Sequence, residues 1–91
     1  MTVSRDETMR FLFARRESRT RDVLFAVYAA LAEKGYDPVS QLVGYLLSGD
    51  PTYITSHRGA RSLIRTIDRD KLLEELVASY LGIDAEKADG L

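Results

Sequence analysis

The chain has no cysteine and no tryptophan, and only two prolines, two methionines and one histidine in 91 residues. Without cysteine there can be no disulfide, no thiolate catalysis and no sulfur-ligated zinc. With a single imidazole, His57, metal ligands are too few for a structural or catalytic centre. No apolar run approaches the roughly 20 residues that a membrane span needs, so membrane insertion is not expected. The first residues lack the basic-then-apolar pattern of a signal peptide, and the expectation is a cytoplasmic protein. No sign of charge is in excess either. Thirteen Lys and Arg face fourteen Asp and Glu, a formal net charge of −1, so the overall field draws the chain to neither nucleic acid nor an anionic membrane.

Catalytic machinery is equally sparse. His57 stands beside Ser56 and Thr55, but neighbours in sequence lie side by side and do not face one another as a triad must. Its expected role is structural, near a helix start. The acids are dispersed over helix ends and surfaces, with no pair that a helical core would bury for acid–base work. No glycine-rich phosphate loop occurs; "SGDP" reads as a helix stop followed by a cap. The reading is a non-enzyme without cofactor.

What is present is helical pattern and arginine. Val23, Leu24, Val27, Tyr28 and Leu31 recur at helical spacing, alanines reinforce them, and Gly35 is a stop, which predicts a helix over about 18–34. Both prolines follow an aspartate. Asp37 and Pro38 open a helix that ends at Gly49, with Val39, Leu42, Val43, Leu46 and Leu47 as a wide apolar stripe. Gly44 inside it predicts a close approach by another helix. Asp50 and Pro51 repeat the device, and a short helical turn is expected over 51–55. A helix over 57–67 turns Leu63, Ile64 and Ile67 inward. Asp68 caps a last helix ending at Gly82, with Leu72, Leu73, Leu76, Val77, Tyr80 and Leu81 as its core face. The expected fold is therefore all-α, a compact bundle of four helices plus a short turn. In front of it, residues 1–17 carry no sustained period and read as a flexible arm; residues 83–91 read as a polar tail. A domain of this size has little interior. The broad apolar arcs predict a symmetric dimer.

Ten of the thirteen cations are arginine, six from Arg5 to Arg21 and four from Arg58 to Arg69. On one continuous helix Arg58, Arg61, Arg65 and Arg69 would fall within about 80° of one another, opposite the apolar side chains. Asp68 and Asp70 could neutralise part of this row, and a helix break at Asp68 would take Arg69 out of it. Most charge runs are merely solvated faces. Here the cations are all arginine, which suits planar anion recognition, and no glutamate is interleaved at the following turn. The candidate ligand is a phosphorylated residue or an acidic protein surface. Nucleic acid, with Ser62 and Thr66 beside the arginines, is the alternative, against which stand the missing aromatic interleaving and the neutral total charge.

Three stretches, "DETMRF", "EKGYDPVSQLVGYLLSGDPTYI" and "ARSLIRTIDRDKLLEELVASYL", together resemble the IreB family of regulatory phosphoproteins over roughly Asp6 to Leu81. The resemblance implies a small helical homodimer with a flexible N-terminal arm. It further implies a substrate of a membrane-anchored PASTA-domain Ser/Thr kinase in Gram-positive bacteria. Such proteins regulate cell-envelope synthesis, in part of the family through Clp-protease turnover of MurA, the enzyme that opens peptidoglycan precursor synthesis. The family's phosphothreonine in the "DET" segment carries onto Thr8. Where some members have an earlier second threonine this chain has Arg5, with Ser4 and Thr2 off register. The family's "IPRH" is "ITSH" from Ile54 to His57, a lost cation for which Arg58 can stand in. Arg61, Arg65 and Arg69 match the family's arginines.

Overall fold

The computed structural model describes residues 5–83, with side chains from Arg19 onward. Four α-helices, α1 (Arg5–Glu33), α2 (Pro38–Ser48), α3 (Ala60–Arg65) and α4 (Arg69–Leu81), are joined by two 3-10 turns, Pro51–Tyr53 and His57–Gly59. No strand occurs among the described residues, so the all-α expectation holds.

Helix α1 begins at Arg5 rather than near Ser18. Residues 5–17 contain no glycine or proline and are mostly Arg, Glu, Met, Leu and Ala, all good helix formers, so propensity carries a helical course where no apolar period announces one. Side chains before Arg19, Thr8 among them, lie outside the described residues, as do residues 1–4 and, beyond Ile83, the rest of the tail. From Thr20 the helix turns Val23, Val27, Ala30 and Leu31 into the core. That is the i, i+4, i+7, i+8 stripe of an amphipathic helix.

The two Asp-Pro devices work as read. The Asp37 carboxylate accepts from the Ser40 backbone N–H at 3.3 Å and from Ser40 Oγ at 3.0 Å. Asp50 accepts from the Thr52 N–H at 2.9 Å and from Thr52 Oγ1 at 2.7 Å. The close approach at Gly44 is real, but it comes from a side chain, not a helix. A Cβ there would lie 2.6 Å from Tyr53 Cδ1, so the glycine makes room for the Tyr53 ring. Gln41 Nε2 donates to the Tyr53 carbonyl at 2.9 Å and fastens the same corner.

The second half departs from the pattern. The helix expected over 57–67 is broken: Arg58 takes left-handed backbone (φ 55, ψ 25), Gly59 follows at φ 70, and α3 proper is the six residues Ala60–Arg65. Two consecutive positive-φ residues cannot lie inside a right-handed helix. The short link between the 3-10 turns carries Ile54, which is fully buried although no helical period marks it. Ile54 packs in one core with Leu31, Tyr45, Ala60, Ile64 and Leu72.

Helix α4 buries only Leu72 and Ala78. The rest of its expected core face, Leu73, Leu76, Val77, Tyr80 and Leu81, is exposed within the chain, Tyr80 to 93%. A stripe on a helical wheel identifies an apolar face; it does not say that the same chain supplies the cover. On α2 the same holds for Val39, Val43 and Leu47.

Candidate functional site

The four arginines singled out by spacing do not share one helical face. Arg58 stands at the left-handed corner ahead of α3, Arg61 and Arg65 lie on α3 four residues apart, and Arg69 opens α4 beyond the Asp68 cap. Gly59 and Asp68 are the two breaks that dissolve the row.

Each guanidinium has its own surroundings. Arg58 Nε pairs with Glu33 Oε2 at 2.8 Å. Arg61 Nε donates to the carbonyl of the buried Ile54 at 2.9 Å. Arg69 Nη1 donates to the Leu46 carbonyl at 3.2 Å, and its guanidinium lies where a Cβ on Gly49 would come within 2.7 Å. Gly49 thus serves twice, supplying the φ of 72 that stops α2 and the room for Arg69. A cation there also complements the negative end of the α2 dipole. Arg65 is exposed and makes no ion pair among the described residues. Among the described residues, Arg58 alone of the four forms an ion pair with a carboxylate. Arg61 and Arg69 each use one donor on a neutral carbonyl and keep their charge.

Two carboxyls near these cations are held below their ordinary range. Glu33 lies below its usual 4.5, first because of the His57 hydrogen bond and then because of the Arg58 charge. Asp50 lies below 3.8, chiefly through its bonds from Thr52, with Arg61 adding a smaller pull. A carboxyl depressed in the folded state stabilises the fold above its unfolded value, and that contribution fades as pH falls through the lower folded value. Glu33→Gln should therefore melt below wild type at neutral pH, and the gap should close as pH drops under 4.5. Thermal melts of both proteins from neutral to acid pH check this.

A second feature is an open groove of about 430 Å³ between α1, α2 and α4, lined almost wholly by apolar side chains that include Leu24, Phe25, Val39, Leu42, Val43 and Leu76. No group of three metal-ligating side chains occurs among the described residues, and none of their helices is long and apolar enough to cross a membrane. Sequence spacing did not foresee the meeting of Glu33, His57 and Arg58. One signal was present: a glutamate at the last position of a helix opposes the dipole and asks for a cation.

The sequence model of the IreB regulatory phosphoprotein family matches residues 6–82, from the acid two before Thr8 to the glycine that closes α4. The chain belongs to the IreB family. Its role is accordingly that of a regulatory phosphoprotein. The span matched to the family takes in Thr8, all four arginines and the whole of the groove.

Proposed function

We propose that this IreB-family protein is a cytoplasmic substrate of a PASTA-type Ser/Thr kinase, modified at Thr8. In this reading it controls peptidoglycan precursor synthesis by engaging a partner only in one phosphorylation state, and the downstream effect is Clp-dependent turnover of MurA. It is not an enzyme. Residues 1–17 act as the arm that presents Thr8, residues 18–82 as the helical body, and residues 83–91 as a polar tail. The observation that carries this is the family match reaching through the "DET" segment. A helical stretch with no sustained apolar face is marginal in water, so an arm of this composition can open to enter a kinase.

Phosphate on Thr8 adds about −1.5 to −2 charges and three strong acceptors beside Asp6 and Glu7. The unmodified protein meets an acidic partner through Arg61, Arg65 and Arg69, with Arg58 at the rim. The modified arm either pairs with these arginines or repels the partner. One charge-assisted hydrogen bond contributes roughly 1.5–3 kcal/mol, enough to move a binding equilibrium tenfold or more. Arg65 is the clean probe among these cations, because Arg61 and Arg69 also hold backbone carbonyls. The near-neutral total charge and the lack of aromatics interleaved with the arginines speak against nucleic acid. The exposed apolar faces of α1, α2 and α4 support a homodimer.

The test is kinase treatment followed by phosphosite mass spectrometry. Wild type should gain phosphate on Thr8, and Thr8→Ala should gain none. Equal uptake by the two would remove Thr8 from the mechanism.

A further inference from the structure

The corner where the second 3-10 turn meets the end of α1 is built around one carboxylate oxygen. His57 Nε2 donates to Glu33 Oε2 at 2.7 Å, and Arg58 Nε reaches the same oxygen at 2.8 Å. Adjacent residues of a regular helix point about 100° apart and do not converge. These two converge at a left-handed Arg58, the one non-glycine residue with positive φ among those described. That conformation is unfavourable for arginine and persists only where the surroundings hold it. Glu33, for its part, is the last residue of α1, where the helix dipole opposes a negative charge. Its carboxylate is held by two side chains and resisted by its own helix. The corner is also open, with the side chains of Arg58, Glu33 and His57 at 68%, 43% and 32% exposure.

We propose that this corner is an anion site for a phosphate group, with Glu33 as its resident competitor. Phosphate displaces the carboxylate, accepts from His57 Nε2 and Arg58 Nε, and engages the terminal nitrogens of Arg58 as well. A carboxylate ligand would only exchange like for like. Phosphate brings more charge and three acceptor oxygens, and its geometry matches the guanidinium fork. Glu33 keeps the site closed to weaker anions. The phosphate can belong to a phosphorylated side chain or be free in solution, and the chemistry of the corner is the same. The proposal rests on the reading that this side of the molecule meets anions, but it requires nothing of Thr8.

His57 is the sole histidine of the chain, so its ring resonances report on this corner alone. The full chain is titrated at neutral pH and constant ionic strength with inorganic phosphate, and separately with a phosphothreonine peptide copying residues 4–12. Chloride and the unphosphorylated peptide serve as controls. The His57 ring signals should move saturably with phosphate and not with chloride. Glu33→Gln should bring the midpoint to about tenfold lower phosphate, and adding Arg58→Ala should abolish the response. A lower midpoint for the phosphopeptide assigns the site to a modified side chain; a lower midpoint for inorganic phosphate assigns it to the free ion. A ring that ignores phosphate, or answers chloride equally, overturns the proposal, as does a Glu33→Gln midpoint equal to wild type. Should Glu33→Gln fail to fold, the wild-type carboxyl carbon of Glu33 must still shift as phosphate displaces it, and no shift overturns the proposal. None of these failures touches kinase modification of Thr8, which is read by mass.

Discussion

Ile54→Ala should lower the free energy of unfolding by about 3–4 kcal/mol, in the range of large-to-small changes at well-packed sites. Ile54 has no exposed surface and belongs to the one buried core that includes residues of α1, α2, α3 and α4. Its backbone is fixed on both sides: the N–H donates to the Pro51 carbonyl at 3.0 Å, and the carbonyl accepts from Arg61 Nε at 2.9 Å. A site tied down in this way collapses poorly around a missing side chain, so the cavity term should approach its full value. Domains of this size have stabilities of about 5–15 kcal/mol at most, and the loss would be a large share. Urea denaturation measures it. A loss under about 1 kcal/mol would show that the link is not part of the core.

Val43→Asp should dissociate the proposed homodimer, with the groove as its interface, and do little damage to the folded chain. Val43 lies mid-way along α2 on the groove wall and is 46% exposed within one chain. In a monomer an aspartate there would remain largely hydrated. In a dimer that closes the groove it would bury a charge without a partner, at a cost of several kcal/mol. A weakening of about 100-fold or more in the dimer dissociation constant is expected, read by sedimentation equilibrium over a range of concentrations. Helical content should stay near wild type. A wild-type protein already monomeric at high concentration, or a variant as dimeric as wild type, would contradict this role for the groove.

The features legible in the sequence were those governed by nearest neighbours. Asp37–Pro38, Asp50–Pro51 and Asp68 cap their elements through bonds spanning two or three residues, so the caps could be read directly. Gly35, Gly49 and Gly82 stop helices for equally local reasons. What escaped depends on distant partners. Arg58 adopts positive φ next to Gly59 in a corner shared with Glu33, twenty-five positions earlier in the chain. A wheel drawn through residues 58–69 holds only for one unbroken helix. The Asp68 cap, itself legible, takes Arg69 out of the row, and the left-handed turn at Arg58 and Gly59, which was not legible, takes out Arg58. Ile54 is buried by tertiary packing in a segment with no period. The apolar face of α4 was real, but most of it stays exposed within the chain, and periodicity carries no information about what covers such a face.

The dissolved row changes how the arginines must be tested. Truncating Arg61 removes the donor to the Ile54 carbonyl, and truncating Arg69 uncovers Leu46 and the end of α2. Either variant mixes fold with recognition. Arg65 makes no such bond among the described residues, so a loss of regulation in Arg65→Ala with an unchanged melt speaks for recognition alone.

The most direct measurement is retention of partners from a lysate on three immobilised forms: unmodified wild type, wild type phosphorylated at Thr8, and unmodified Arg65→Ala. The account predicts that proteins held by the first form are lost or strongly reduced on the other two. Identical retention on all three would contradict it.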